Sequence, residues 1–257
     1  MSGKRWSCAS WLLGLTLFML SPCFCSSEER QQASSPRSAK EIARQTLDST
    51  PDPEFGAWVE ELLHQSERED AHLGGTPEEI RQAKIEGAVR ELKDPDYSIR
   101  RSAAYALGIL GAKEHAKDVA ALLTDKDARV RFVAASALGE LGAKAYTKDL
   151  AQLLKDEDGL VRCYAVEALG ELEAREYAKD VALLLKDKGG FESPKGALDI
   201  TVRGAAARAL GRFGAKEYAN DIALLLNDEI VSVRNTAAKV LNEWGINPEG
   251  LKAKKER

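Results

Sequence analysis

The chain has 257 residues, of which 44% are hydrophobic and 30% are charged, and its formal net charge is −4 at pH 7. The apolar content is enough for a substantial core and excludes a chain that is disordered throughout. The acidic balance provides no general electrostatic attraction to DNA or RNA, so no nucleic-acid partner is predicted.

Residues 1–27 have the pattern of an export signal. Lys4 and Arg5 precede an apolar run over residues 11–20, and small residues follow that run. The run is too short to cross a bilayer, so we expect a cleavable signal rather than a permanent anchor helix. A cut near residues 25–27 satisfies the small-residue rule. The mature protein is therefore predicted to be exported, either periplasmic or secreted, with no transmembrane span.

Cys23 is a candidate lipid anchor. It ends the sequence Leu-Ser-Pro-Cys, which resembles the processing box of bacterial lipoproteins, although Pro22 stands where a small, unhindered residue is expected. Cys25 competes as the marker residue. A membrane-attached lipoprotein and a soluble exported product are therefore the two alternatives. Cys163 is the single cysteine after the signal, so an internal disulfide is excluded.

Residues 28–75 are predicted to form a linker and short capping helices. Residues 31–38 are rich in Ser and Gln, which is typical of a linker. Residues 39–47 and 54–67 have the apolar spacing of two short helices, and the second helix carries Trp58 on its apolar face. We expect that face to cover the open end of the repeats that follow.

The rest of the chain repeats itself. Aligned on a Val-Arg or Ile-Arg pair, the units begin at Ile99, Val130, Val161, Val202 and Val233, so three spacings are 31 residues and one is 41. A fixed period of this size indicates a solenoid, in which each unit buries its apolar face against its neighbours.

Each unit has the apolar spacing of two helices. In the second unit Val130, Ala134 and Leu138 lie on one helical face, and a new helical pattern continues through Leu150. Gly142 lies between the two segments, where it can adopt the left-handed conformation that ends the first helix. Recurrent glycines and alanines within the first segments predict that neighbouring helices approach closely.

Local signals mark both ends of the solenoid, which is predicted to span residues 76–247. Thr76 and Glu79 form a capping box around Pro77, and such a box starts a helix. At the other end, Leu-Asn-Glu-Trp replaces the usual Leu-Gly ending, as expected for a terminal unit that faces water. Residues 248–257 are predicted to be a basic C-terminal tail.

The pattern D-x-x-x-x-V-R-x-x-A-A-x-A-L-G resembles the HEAT-like repeats of the phycobilisome-lyase type over about residues 76–244. The resemblance implies an all-α, right-handed α-solenoid of about five antiparallel helix pairs, whose second helices line the inner face. It also implies a structural ladder of Asp and Arg residues between repeats, although a row of arginines could instead bind an anion. The ladder residues are Asp94, Arg100, Asp125, Arg131, Asp156, Arg162, Asp187, Arg203, Asp228 and Arg234.

The sequence contains no recognisable catalytic motif. Its histidines are His64, His72 and His115, and they form no HExxH or Cys/His cluster. No GxSxG motif or phosphate-binding glycine loop is present. We therefore predict no catalytic, metal-binding or cofactor-binding residues and no cofactor. A chromophore lyase is the enzyme hypothesis that the resemblance suggests, but export counts against it, because that chemistry belongs to the cell interior.

A protein-binding surface is predicted on the second helices, at positions that the repeat does not fix. Counted from the helix that starts at Thr76, these second helices are the ones that carry the Val-Arg pairs. The candidate partner-binding residues are Arg101, Tyr105, Phe132, Ser136, Tyr164, Glu167, Arg208 and Arg212. Phe132 and Tyr164 are expected to lie near one another and to be exposed, with charges of both signs around them. Val133 and Cys163 either join this surface or pack against the next unit.

The insertion that lengthens one repeat, residues 189–198, is the second candidate surface, with Phe191 as its anchor. The sequence thus predicts a non-enzymatic exported scaffold that binds a protein or peptide on the inner face of the solenoid. The alternatives are an accessory or regulatory subunit of an exported enzyme and a lyase-like enzyme.

Overall fold

The computed structural model of the protein describes residues 75–191 and 200–247. The predicted signal, linker and capping helices, most of the insertion and the basic tail lie outside these ranges. The chain divides into two compact units, Met1–Gly87 and Ala88–Arg257, and the Val-Arg units lie in the second.

A capping box opens the described part of the chain. The Thr76 amide donates a hydrogen bond to Glu79 Oε2 (2.7 Å), and the Glu79 amide donates one to Thr76 Oγ1 (3.3 Å). This reciprocal pairing satisfies two amides that have no partner inside the helix. It starts helix α1, Pro77–Glu91.

Long and short helices alternate after α1. The long helices are α2 (Tyr97–Ile109), α4 (Ala128–Glu140), α6 (Gly159–Glu171), α8 (Val202–Phe213) and α10 (Val231–Glu243). The short helices are α3 (Ala116–Ala120), α5 (Thr147–Gln152), α7 (Ala178–Leu183) and α9 (Ala219–Leu224), each flanked by turns of 3₁₀ helix. In chain order the ten helices of the described ranges form five pairs, which confirms the predicted all-α solenoid.

Four of the five long helices begin at a side-chain cap. Asp96, Asp127 and Asp158 accept hydrogen bonds from backbone amides two residues ahead at 2.8–2.9 Å, starting α2, α4 and α6. Thr201 does the same for α8 through the Gly204 amide at 3.3 Å. The last long helix, α10, begins without a side-chain cap.

The turn after each long helix contains a residue in the left-handed region. Gly142 has φ +66° there, as predicted, and glycines end the other long helices in the same way except after α6. Glu173 occupies that position after α6, with φ +56°. A side chain in this conformation is strained by roughly 1 kcal/mol or more, because its Cβ crowds the following carbonyl.

Successive long helices pack side by side, in the order α2, α4, α6, α8 and α10. Glycines permit the close approach: a Cβ added to Gly108 would lie 3.1 Å from Ala137 Cα, and one added to Gly139 would lie 3.1 Å from Ala168 Cα. One fully buried leucine per long helix recurs with the repeat. These leucines are Leu107, Leu138, Leu169, Leu210 and Leu241.

A two-residue strand pair forms the base of the insertion. Strand β1 (Gly190–Phe191) pairs antiparallel with β2 (Ile200–Thr201). The Val202 amide also donates to the Gly189 carbonyl at 3.1 Å. The base packs against α6, since a Cβ added to Gly159 would lie 2.5 Å from the Gly190 amide nitrogen. The insertion therefore leaves the solenoid from a fixed base.

No helix within residues 75–191 and 200–247 combines the length and the apolar character that crossing a membrane requires.

Candidate binding surface

The Asp and Arg residues of the repeat form a ladder between neighbouring units. Arg100 donates from Nε and Nη2 to the Asp125 carboxylate at 2.7 and 2.9 Å, and from Nη1 to the Asp94 carbonyl at 2.7 Å. Arg131 and Arg162 likewise contact the carbonyl of the aspartate before them and the carboxylate of the aspartate 25 residues after them, and Arg203 makes the carboxylate contact. The other inter-repeat pairs are Arg131–Asp156, Arg162–Asp187 and Arg203–Asp228.

In the ladder, burial and the hydrogen bonds from arginine shift the pKa of the aspartates in opposite directions. Burial alone raises the pKa of Asp125, but hydrogen bonds from Arg100 and from the Asp127 amide outweigh it and hold the pKa below its usual value. The hydrogen bond to Asp125 raises the pKa of Arg100 in turn. Both side chains are 8% exposed, so this geometry favours a structural ladder over an anion-binding row. Arg234, in the last unit, donates to the carbonyls of Asp228 and Glu229.

Phe132 on α4 and Tyr164 on α6 form a stacked aromatic pair. Their ring centroids are 5.1 Å apart with an interplanar angle of 19°, and both residues are partly exposed. They do not occupy equivalent positions in the repeat: Cys163 aligns with Phe132, and Val133 aligns with Tyr164. Val133 and Cys163 are buried, and the Cys163 thiol donates to the Thr201 carbonyl at 3.8 Å. These two residues are therefore core residues.

Glu167, Arg208 and Arg212 form an arginine cluster between α6 and α8. Sequence reasoning placed Glu167 on the exposed surface, whereas the structure leaves the residue only 6% exposed. Its Oε1 accepts hydrogen bonds from Arg208 Nε at 2.9 Å and from Arg208 Nη2, and Arg212 Nη1 lies 3.5 Å from Oε2. Burial is possible because the two guanidinium groups neutralise the carboxylate. Glu167 and Arg208 occupy the same repeat position in adjacent units. Their opposite charges are the signal in the sequence from which this pairing could have been predicted.

The remaining candidates lie on α2 and α4. Tyr105 on α2 is partly exposed; burial, and then the nearby Glu140 charge, raise the pKa of its hydroxyl. Ser136 Oγ donates to Glu140 Oε1 at 3.5 Å. Arg101 is also partly exposed. The backbone of Phe191 is part of β1. Its side chain and residues 192–199 lie outside the described residues, so the role of Phe191 as an anchor stays a prediction.

Two glutamates that the sequence prediction did not select as site residues border the same surface. A Cβ added to Gly108 would lie 2.8 Å from Glu140 Oε2, and one added to Gly139 would lie 2.6 Å from Glu171 Oε2. Each carboxylate therefore lies over a glycine of the preceding long helix. Side chains of His, Cys, Asp and Glu in the described ranges form no group of three that could hold a metal ion.

Two family models match the chain. Residues 85–170 match the model described as HEAT repeats, and residues 202–228 match the PBS lyase HEAT-like repeat. The described part of the chain is an α-solenoid in which residues 85–170 and 202–228 are similar to HEAT repeats. The second match is of the phycobilisome-lyase type, which confirms the resemblance seen in the sequence. No curated protein sequence matches the chain.

Two solved structures are also similar to the chain. The complex of CpcE and CpcF of phycocyanin lyase from Nostoc sp. PCC7120 matches with 26% identity and a TM-score of 0.55, over 62% of this chain and 64% of that chain. This protein thus spans less than two thirds of that chain. A designed armadillo repeat protein in complex with the peptide (KR)4 matches with 15% identity and a TM-score of 0.44, over 77% of this chain and 98% of that chain.

Proposed function

We propose that this protein is a non-enzymatic scaffold that binds a protein or peptide on the face formed by its long helices. The observation that carries the proposal is the aromatic pair, Phe132 and Tyr164. Their neighbours along α4 and α6 are mostly buried, whereas both rings are partly exposed on that face. Aromatic residues and arginines supply most of the binding energy at protein interfaces, and both occur here.

Rigid support favours this proposal. The ladder ties neighbouring units together at one edge, and the Gly–Ala contacts of Gly108 and Gly139 hold the helices close along their length. A partner would therefore meet a surface that is already formed. Less entropy is lost on binding to such a surface than on binding to mobile loops.

The experiment compares the wild-type protein with an aromatic double variant, Phe132→Asp with Tyr164→Asp. Affinity capture from the native organism's cell-envelope extract, followed by mass spectrometry, should lose one polypeptide with the variant. Its helical content and melting temperature should change little, because both rings are partly exposed. A large loss of stability would instead assign the rings to the core.

A second double variant provides the matched control. Leu183 and Leu224 are 71% and 54% exposed on the short helices α7 and α9. Leu183→Asp with Leu224→Asp makes the same number of apolar-to-acidic changes away from the aromatic pair. Identical capture by wild type, control and aromatic double variant would overturn the proposal.

The same proposal places the mature protein outside the cytoplasm, supported by the signal pattern of residues 1–27. The test is the mass of the mature N-terminus. A start near residues 25–27 would identify a soluble exported product, and a diacylated N-terminal Cys23 would identify a lipoprotein. An intact Met1 on the cell-associated protein would contradict export.

The second candidate function is that of an accessory or regulatory subunit of an exported enzyme, with a lyase-like activity as its enzymatic form. The similarity to the CpcE and CpcF complex of phycocyanin lyase supports it. Stable, stoichiometric co-purification with one polypeptide would favour the subunit, and a bound coloured cofactor would favour the enzyme. Recovery of the protein alone and colourless would oppose both.

A further inference from the structure

The last arginine of the ladder differs from the arginines before it. In the earlier units the Nε and Nη2 atoms donate to a carboxylate of the next unit, as Arg131 does to Asp156 at 2.8 Å. Arg234 on α10 donates from Nη1 to the carbonyls of Asp228 and Glu229 at 2.7 and 3.0 Å. In the part of the chain that the structure describes, no carboxylate pairs with it. Its Nε and Nη2 atoms are therefore available to an acceptor.

The two carbonyls hold the Arg234 guanidinium as the ladder holds its other arginines. Arg100 Nη1 donates to two carbonyls of its own unit at the same distances, 2.7 and 3.0 Å. The Asp228 carboxylate is directed to the preceding unit, where it accepts from Arg203 Nε at 2.5 Å. Arg234 is thus oriented before anything binds to it, and its planar Nε–Nη2 edge has the geometry that a carboxylate accepts.

The side of α10 that carries this edge is open. Ala238 is exposed, whereas the alanines at the same position of three other long helices are fully buried. Those alanines are Ala104, Ala135 and Ala207. Val231, three residues before Arg234, is 57% exposed, and side chains three residues apart lie on one helix face. An exposed apolar side chain and the Nε–Nη2 edge therefore lie side by side.

A further long helix cannot pack on α10 in the way that the described long helices pack on each other. Asn242 stands at the position that Gly108, Gly139, Gly170 and Gly211 occupy in the other long helices. A Cβ added to Gly139 would lie 3.1 Å from Ala168 Cα, so a side chain at this position keeps a neighbouring helix away. A loop is therefore a better fit to the open side than a stacked helix.

The first contact of the ladder shows what such a loop has to present. Asp125, which binds Arg100, also accepts the backbone amide two residues ahead at 2.9 Å, so its carboxylate belongs to a tight turn. Four residues after it, the Arg129 guanidinium lies 3.8 Å from the centroid of the Tyr97 ring. Tyr97 occupies the repeat position of Val231. A turn that sets a carboxylate on a ladder arginine thus sets the side chain four residues later on the position of Val231.

We propose that the open side of α10 is a second binding site, which takes an aspartate-containing turn of a partner protein. The aspartate carboxylate accepts hydrogen bonds from Arg234 Nε and Nη2, and an apolar residue four positions later packs on Val231. Opposite charge and matched planar geometry select the aspartate, and the exposed valine selects its apolar neighbour. This site lies apart from the aromatic pair, so it does not depend on the proposed function.

The probe is a phage-displayed library of short random loops, each closed by a disulfide, selected on the full chain and depleted on the full-chain variant Arg234→Gln. The enriched loops should contain Asp with an apolar residue four positions later. The best loop is then synthesised with Asp and with Asn at that position. The Asp form should bind the wild type about tenfold more tightly, and Arg234→Gln should remove the difference.

Two further variants separate the geometry of the site from its charge. Arg234→Lys keeps the positive charge but loses the planar edge, so it should also weaken binding of the Asp form about tenfold. Lys239→Gln is the matched control, because Lys239 lies on the same helix, is 69% exposed and approaches Glu243 at 3.9 Å. It should leave the affinity unchanged. Melting curves of these variants should match that of the wild type, since Arg234 and Lys239 are not buried.

Two other occupants of the site give results of their own. The acidic residues of the C-terminal tail are Glu249 and Glu256, and tighter loop binding by Glu249→Gln with Glu256→Gln would assign the site to the tail. Asp94 binds no arginine in the described part of the chain. Sedimentation that shows wild-type dimers, lost in both Arg234→Gln and Asp94→Asn, would assign the site to a second copy.

Either of those results would overturn the proposal of a partner turn. So would a selection in which no loop depends on Arg234, or equal binding of the Asp and Asn forms. The aromatic double variant should bind the selected loops as the wild type does. Loss of loop binding in that variant would move the loops to the long-helix face and leave the open side of α10 without a ligand.

Discussion

Arginine meets carboxylate in two regions of this solenoid, and the two arrangements differ. In the ladder the contact between Arg131 and Asp156 recurs from unit to unit with nearly the same geometry, and both side chains are about 10% exposed. The arginine cluster around Glu167 occurs once, and its arginines are about one-third exposed. A pair that recurs along the chain maintains the stacking of the repeats. The arginine cluster belongs to the single contact between α6 and α8.

The largest expected effect comes from breaking the ladder. Asp156→Ala leaves the Arg131 guanidinium buried without its carboxylate, which should reduce the free energy of unfolding by about 3–5 kcal/mol. Urea denaturation followed by circular dichroism measures it. Glu157→Ala is the control, because Glu157 also approaches Arg131, at 3.9 Å, but is 92% exposed. Equal effects of the two changes would show that the ladder adds little to stability.

The second-largest effect is expected from low pH, which should weaken the ladder. Hydrogen bonds from arginine outweigh burial and lower the pKa of Asp125, Asp156, Asp187 and Asp228 below the unfolded value of about 3.9. The folded state therefore binds fewer protons than the unfolded state. Their contribution to stability is complete above about pH 4 and is lost as the pH falls through the lower folded pKa values.

Urea denaturation at pH 7, 5, 4 and 3 tests this dependence on pH. The free energy of unfolding should fall steeply below about pH 4 in the wild type. It should fall less in Asp156→Asn, which has one ladder carboxylate fewer. A free energy that stays constant from pH 5 to pH 3 would contradict the assigned directions of the pKa shifts.

A smaller and stabilising effect is expected at Glu173. Its φ of +56° is the conformation that glycine adopts after other long helices. Glu173→Gly should raise the free energy of unfolding by about 0.5–1 kcal/mol, because it relieves the left-handed strain. Gly142→Ala makes the reverse change at the equivalent turn and should lower it by about 1 kcal/mol. Thermal melts of both variants test this pair, and shifts of the same sign would refute the explanation.

The smallest effect on stability is expected in the arginine cluster. Arg212→Gln should lower the free energy of unfolding by only about 0–1 kcal/mol, since Arg212 is partly exposed and 3.5 Å from Glu167. A loss of stability comparable to that of Asp156→Ala would place Arg212 with the ladder and remove the contrast between the two regions.

The sequence predicted the helices well because their signals are local. The spacing of Val130, Ala134 and Leu138 marks a buried helical face, and the cap and the turn glycine mark its ends. The left-handed Glu173 was not predicted, since nothing about a glutamate signals that conformation. Glu173 occupies the position that glycine holds in the turns after the other long helices.

The candidate site was less predictable because its properties depend on contacts between units. Phe132 and Tyr164 were expected to be neighbours, but the sequence left open whether Val133 and Cys163 are buried. Glu167 was assigned to the surface because a single charged residue is usually exposed. Its burial depends on Arg208 and Arg212 of α8, and Arg208 is 41 residues further along the chain than Glu167.

The sequence by itself determined the repeat, the helices and the positions of the Asp and Arg residues, because spacing and capping act within one unit. The tertiary structure decided which aspartate each arginine contacts, which aromatic rings stack and which glutamate is buried. Those outcomes depend on how successive helices stack. Close packing at glycines such as Gly139 brings side chains of separate units into contact, and no periodicity within one unit specifies those contacts.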